Sequence, residues 1–155
     1  MSESGLDRIL SEHEVDQLSD LLVPSLREEY PNFEKWLNKA GEKILDGSRI
    51  AVGIWKEKLI AACIVKLTYS NTAELKSFFV DLNFRDYGYG NDLYKEMEEQ
   101  CRKAGVVRIF TDVYCDNPSM VEFLISKGFL IAGNEDLYGN GRPSYRALCK
   151  TSVQR

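Results

Sequence analysis

The sequence predicts a mixed α/β fold: a mostly antiparallel sheet with a bulged or splayed central strand, flanked by helices. Three observations carry this. The order of elements is two helices, three consecutive extended runs, then helix, strand, helix and two more strands. Three consecutive strands can meander, and a helix crossover after them mixes parallel with antiparallel pairing. The third extended run, AELKSFFV (73–80), begins as an alternating strand and then places three apolar residues in a row. A bulge, or a strand buried on both faces, explains such a break. Finally, 155 residues with 44% apolar and 28% charged side chains fit one soluble domain that buries its own core. The expected domain is the whole chain, 1–155, with a core over about residues 11–150.

Each element has a local signature. Ser11 and Glu14 have the spacing of a capping box, and Val15, Leu18, Leu21 and Leu22 recur at helical period. Pro24 is expected to stop this helix. A second helix is expected to begin at Pro31, a residue suited to the first helical position. Its apolar face is Phe33, Trp36, Leu37, Ala40, Ile44 and Leu45, and Gly47 is its stop. The runs RIAVGIW (49–55) and LIAACIVKL (59–67) read as strands joined by a hairpin at Lys56-Glu57-Lys58. The third strand, 73–80, follows a polar turn at Ser70-Asn71.

After a loop at 81–90, Leu93, Met97, Cys101 and Ala104 mark a third helix ending at Gly105. VVRIFTDVY (106–114) reads as a strand. Asn117-Pro118 reads as an N-cap followed by proline at the first helical position, and the short helix stops at Gly128. FLIA (129–132) and SYRALCK (144–150) are the last strands, with a long Gly- and Asn-rich loop between them.

Composition narrows the function. The net charge is −4, against a general nucleic-acid binder. No apolar run reaches the ~20 residues that span a bilayer, and the N-terminus lacks the pattern of a secretory signal. A membrane partner is therefore not expected, and the expected compartment is cytoplasmic. Cys63, Cys101, Cys115 and Cys149 have no metal spacing and read as reduced thiols, mostly core filler. His13 is the only histidine and sits in an acidic segment, which leaves little for a Ser-His-Asp, Cys-His or His-containing zinc site. No metal is expected.

The loop DLNFRDYGYGND (81–92) lies between a strand and a helix N-terminus. Gly88 and Gly90 let backbone N–H groups approach a ligand, the helix dipole favours an anion, and Arg85 adds a cation. A pyrophosphate fits; so does a tight turn with no ligand. A Walker loop is excluded, because Asn91 and Asp92 follow Gly90. A dinucleotide fingerprint lacks its third glycine, the position being Leu93.

The segment 73–93 resembles the core of the GNAT superfamily of acetyl-CoA-dependent N-acetyltransferases. Its signature, Arg or Gln, two free residues, Gly, one free residue, Gly or Ala, reads here Arg85-Asp86-Tyr87-Gly88-Tyr89-Gly90. A second signature runs from an Asn after a strand through a short helix to Gly-Phe, here Asn117 to Gly128-Phe129. The resemblance covers about residues 11–150 and includes two helices before the hairpin. It implies acetyl transfer from acetyl-CoA, as cosubstrate, to a primary amine by direct attack. It implies that the backbone of Phe78, Phe79 and Val80 holds the pantetheine arm, that amides from Arg85 through Gly90 and the adjacent Asn91 hold the pyrophosphate, and that Asn117 faces the cofactor near its sulfur. The proton of the amine needs a base. Glu74, 11 residues before Arg85, and Asp112, five before Asn117, stand where relatives carry one. Either also reads as an ordinary acidic residue on a sheet.

Two positions depart from the pattern. Leu124 occupies the place where the family often has the tyrosine that protonates the leaving thiolate, so Tyr114 or water is the substitute, and Leu124 reads as core. Asp86 puts a carboxylate in a phosphate loop. Both leave room for an alternative: a non-catalytic acyl-CoA-binding or interaction module. The acceptor is expected to be a small-molecule or peptide amine. Residues 1–49 carry a net charge of −5 and the remainder +1. If the first two helices wall the acceptor site, they favour a cationic acceptor; a solvated acidic helix face reads the same way. A homodimer is compatible with the sequence.

Overall fold

The computed structural model describes residues 4–30 and 32–151. The elements are β1 (Ser4–Arg8), α1 (Glu12–Leu26), α2 (Phe33–Leu45), β2 (Arg49–Lys56), β3 (Lys58–Leu67), β4 (Thr72–Val80), a 3-10 turn (Leu82–Phe84), α3 (Tyr89–Lys103), β5 (Arg108–Tyr114), α4 (Pro118–Ser126), β6 (Leu130–Glu135) and β7 (Ser144–Lys150). One seven-stranded sheet runs in the order β1-β2-β3-β4-β5-β7-β6. Every pairing is antiparallel except β4 with β5, which is parallel.

The capping box forms: the Ser11 hydroxyl accepts from the Glu14 amide at 3.2 Å, and a Glu14 carboxylate oxygen accepts from the Ser11 amide at 3.1 Å. Pro24 does not stop α1, which runs on to Leu26. In the last turn proline removes one hydrogen bond, and its fixed φ is itself helical. Leu18 and Leu22, fully buried on one face, keep the helix seated. The expected start of α2 at Pro31 lies outside the described residues. Gly47 ends that helix at φ +86 as expected.

The strand β1 has no counterpart in the sequence reading. Ser4–Arg8 shows no apolar alternation, and Leu6 remains 38% exposed. The strand exists because β2 has an open edge that accepts it through backbone bonds alone, register Leu6 to Ile54. At the other edge β6 spans 130–135 rather than 129–132, and β5 begins at 108 rather than 106.

Two apolar layers sandwich the sheet. Leu93, Met97 and Cys101 of α3 and Leu124 of α4 pack on Val52, Cys63, Val65, Leu75 and Ile109. On the opposite face Leu18, Leu22, Phe33, Leu37, Ala40 and Ile44 pack on Ala51, Ala62 and Ile64. Cys63, Cys101 and Cys149 are buried, and burial pushes the Cys101 thiol up to about 12. These thiols stay protonated and act as small apolar side chains. No helix among the described residues is long and apolar enough to cross a membrane.

Candidate active site

The break in the β4 pattern is a bulge. Ser77 pairs with Ile64, but Leu75 pairs with Val65, which leaves Lys76 as the extra residue. The bulge reassigns faces. Leu75, Phe78 and Val80 belong to the α3–α4 side, while Glu74 and Phe79 sit opposite Lys66 and Ala62 on the α1–α2 side. The second expectation for this run, burial on both faces, does not hold: Phe78, Phe79 and Val80 are each half-buried.

Beyond the bulge the sheet opens. The parallel β4–β5 pairing is confined to Thr72–Arg108, Ala73–Ile109 and Glu74–Phe110. One further bridge, from the Thr111 hydroxyl to the Leu75 carbonyl at 2.7 Å, closes the base of the seam. The Asp81 amide donates to the Ile60 carbonyl. By antiparallel alternation Phe79 therefore turns its N–H and C=O toward β3, and Phe78 and Val80 turn theirs into the seam. Arg85 confirms the direction, since its Nε donates to the Val80 carbonyl at 2.8 Å. The opening is a cleft of about 910 Å³.

One end of the cleft is made of backbone. Helical bonding in α3 starts with the Asp92 amide on the Gly88 carbonyl at 3.2 Å. The amides of Gly88, Tyr89, Gly90 and Asn91 thus have no acceptor within the helix. Gly88 caps α3 at φ +87, and Asp86 is also left-handed at φ 68, so the loop reverses twice before the helix begins. A Cβ on Gly90 would lie 3.7 Å from Phe123 and 4.0 Å from Phe78, at the floor of the cleft. The Arg85 guanidinium lies 5.3 Å from the Phe79 ring centroid. Lys127, which the sequence did not single out, donates to the Asn91 side-chain oxygen at 2.7 Å and stands over the Phe123 ring. Backbone donors, a helix dipole and the Arg85 cation fit a pyrophosphate, while Lys127 is not among the residues lining the cleft.

Asn117 is a helix cap that also stands in the cleft wall. Its side-chain oxygen caps α4 by accepting from the Met120 amide at 3.3 Å, and the residue lines the cleft. Its amide nitrogen remains as a donor. Leu124 is 1% exposed and belongs to the core.

The other end is made of side chains. Glu74 and Asp112 both line the cleft. The register places Glu74 beside Phe110, and Asp112 follows two residues on, so the two carboxylates share the α1–α2 face. Lys76 Nζ pairs with Glu74 at 3.3 Å. The Tyr138 hydroxyl, from the loop between β6 and β7, donates to Asp112.

Tyr114 stands elsewhere than expected. It is 2% exposed, its hydroxyl donates to the Glu29 carbonyl at 2.9 Å and accepts from the Asn140 side chain, and it is not among the residues lining the cleft. Its proton is already committed, and its ring is a wall. Tyr30 stacks on it at 5.2 Å, and Arg142 covers it at 3.7 Å while pairing with Asp116. His13, exposed at the start of α1, does not line the cleft either.

Tyr30, Tyr138, Arg142 and Glu29 went unread in the sequence. Tyr30 precedes a helix whose apolar face looks like core, and the other two aromatic-end partners lie in a loop with no periodicity. Burial is the main reason the Tyr30 and Tyr138 hydroxyls are held well above the usual tyrosine value. The Tyr114, Glu29 and Asp112 neighbours add to it at Tyr30, and the Asp112 hydrogen bond adds to it at Tyr138. Of the acidic residues in the first 49, Glu29 alone among the described ones lines this cleft, so most of that charge is a solvated helix face. Among the described residues no group of His, Cys, Asp or Glu is placed to hold a metal ion.

The seven-stranded sheet with its four helices is a fold shared with solved acetyltransferases. The chain belongs to the acetyltransferase (GNAT) family, whose model matches residues 13–129. Similar solved structures include a GNAT-family protein of Desulfovibrio desulfuricans, with 14% identity, TM-score 0.82, and 96% of this chain and 99% of that one covered. The ribosomal-protein-S18-alanine N-acetyltransferase of Escherichia coli superposes with 17% identity, TM-score 0.79, and coverage of 98% and 96%. The PaiA N-acetyltransferase of Thermoplasma acidophilum, solved with coenzyme A, has 20% identity, TM-score 0.74, and coverage of 97% and 99%. At these identities the likeness establishes the fold. A comparison with curated proteins found no significant match.

Proposed function

We propose that the protein transfers an acetyl group from acetyl-CoA to a primary amine by direct attack. The single observation that carries this is the seam: β4 and β5 part after Glu74, and Tyr89 and Gly90 of the first α3 turn line the gap. A pantetheine arm laid in the seam would complete the missing ladder of β4 through Phe78 and Val80. The pyrophosphate would take the amides from Gly88 to Asn91. The Phe78 and Val80 N–H groups would then stand beside the thioester carbonyl, where fixed donors stabilise the charge that develops on its oxygen.

The amine nitrogen bonds to the carbonyl carbon, the C–S bond breaks, and the coenzyme leaves as a thiolate. Asp112 and Glu74, both on the cleft wall, are the candidates to take the ammonium proton. With Leu124 in the core and the Tyr114 hydroxyl donating to the Glu29 carbonyl, neither of these positions supplies the proton of the thiolate, and water can. With an ordinary thiol pKa of about 8.5, the thiolate is a tolerable leaving group.

The absence of an acid at those two positions also favours a second reading, an acyl-CoA-binding module without turnover. Two measurements separate them. Coenzyme A at 100 times its Kd is expected to stabilise the fold by about 2.7 kcal/mol; no rise in Tm in millimolar coenzyme A rejects the cofactor assignment. Incubation of acetyl-CoA with a panel of primary amines is expected to release free thiol. Stabilisation without thiol release from any amine selects the binding module.

A further inference from the structure

We infer that the acceptor is a small amino-acid-like molecule bearing an anionic group beside its reactive amine, and that Lys76 is the residue that selects it. This deepens the acetyltransferase reading and rests on it.

The charges on the α1–α2 face fall into two poles. At the first, cross-strand register sets Arg49 beside Lys66 and Lys66 beside Glu74. The bulge then adds Lys76 against the same carboxylate. Three cations thus share one anion, and like charges directly opposite each other on a sheet repel. Arg49 is the least satisfied of them. Burial lowers its pKa, with Glu74 opposing that shift, its Nη1 is buried without a hydrogen-bond partner, and the Trp36 ring lies 5.5 Å beneath its guanidinium. An anion at the mouth of this pole would relieve all three cations. Lys76 is the one that lines the cleft, and its side chain keeps 26% of its surface exposed.

At the second pole the balance is reversed. Asp112 and Glu29 line the cleft, and the cations beside them are engaged elsewhere: Arg146, opposite Asp112 on β7, pairs with Glu135, and Arg142, whose charge also feels Glu29, is held by Asp116 in a two-point contact of 3.1 and 2.7 Å. An ammonium belongs here. Glu74 stands beside Phe110, and Lys76 and Asp112 each follow two residues on, so they flank the opened seam from its two sides, where a small amino acid can make a polar contact with each. In this arrangement Asp112 receives the amine, and Glu74 is the counter-ion that holds Lys76.

Size follows from the walls. The segment between α1 and α2 and the loop between β6 and β7 are tied together, through Tyr114 to the Glu29 carbonyl and to Asn140, and through the Tyr30–Tyr138 edge contact at 5.5 Å. That closes this side of the cleft and favours a compact acceptor over a chain passing through.

The test uses matched triples, each an α-amino acid, its primary amide and its decarboxylated amine, with thiol release as readout. The acid is expected to exceed the other two in kcat/KM by about tenfold or more, the value of one charge-assisted contact. Lys76→Gln is expected to erase that preference through KM of the acid, Lys76→Arg to restore most of it, and Lys95→Gln on the outer face of α3 to leave the ratio unchanged. Transfer to amides or bare amines as efficient as to acids overturns the inference and leaves the acetyltransferase intact. A preference for acids that survives Lys76→Gln overturns the role of Lys76. A Tm rise in coenzyme A with no thiol released from any member brings down the enzyme reading itself.

Discussion

The two ends of the cleft are built from different materials. At the α3 end, the groups proposed to recognise the cofactor belong to the main chain: four helix-terminal amides, two seam-facing strand residues and a glycine whose missing side chain keeps the floor clear. At the proposed acceptor end, the wall is made of side chains from four places: Tyr30 from the α1–α2 segment, Glu74 and Lys76 from β4, Asp112 from β5 and Tyr138 from the β6–β7 loop. A backbone site is general, because any residue carries the same N–H, and it tolerates drift in sequence. A side-chain site is specific and can change with each substitution. On the proposed function, the backbone end is what members of a family can share, and the side-chain end is where one member can differ from another.

This difference can be broken from either side. The largest expected effect is at the acceptor end: the double variant Glu74→Gln with Asp112→Asn is expected to lower kcat by about 10²–10⁴-fold, with the coenzyme A stabilisation of Tm unchanged. Steady-state rates alongside thermal shifts check it. A near-normal rate would mean that the amine loses its proton to solvent, leaving proximity and the strand donors to carry the rate.

Gly90→Val is the reverse experiment. Its Cβ meets only ordinary contacts, the nearest at 3.7 Å, so the unliganded Tm is expected to hold. The branch fills the cleft floor, so the stabilisation of about 2.7 kcal/mol at 100 times Kd is expected to vanish. Gly88→Val is the poorer probe, since φ +87 strains any side chain whether or not a ligand binds there. Normal coenzyme A binding by a folded Gly90→Val would make the loop a turn and nothing more.

The smallest effect concerns the aromatic wall. The Tyr30 and Tyr138 hydroxyls are raised in the folded state, so the folded protein keeps protons that the unfolded chain gives up above about pH 10. The stability they contribute is complete below that pH and is lost as pH climbs toward their folded values. Urea midpoints at pH 8 and pH 11 are expected to differ, and Tyr30→Phe to shrink that difference by no more than about 1 kcal/mol. An unchanged slope would place the Tyr30 hydroxyl in solvent.

Much of this architecture was readable from order and period. The capping box at Ser11, the hairpin at Glu57, the bulge in 73–80 and the proline-started α4 are local devices, each enforced by residues a few positions apart. The glycine loop before α3 belongs with them, because glycine spacing and a helix start are both local. Pro24 misled because its cost, one lost hydrogen bond and a crowded preceding turn, is local, while the burial of Leu18 and Leu22 that outweighs it is tertiary.

The sequence by itself determined which segments become helices and strands, where β4 must bend, and which loop can meet an anion, since backbone geometry and apolar period settle these within a few residues. Tertiary structure alone decided the rest. The edge strand β1 forms by backbone pairing with a partner more than forty residues away, which leaves no side-chain pattern to read. The face of Glu74 depends on one extra residue at Lys76, and a shift of one residue exchanges the two sides of a strand. Tyr114 turned from a candidate acid into a wall because Glu29, distant in the chain, presents a carbonyl to its hydroxyl. An acceptor site assembled from contacts of this range has no period in the sequence; it exists only once the sheet has brought its strands and loops together.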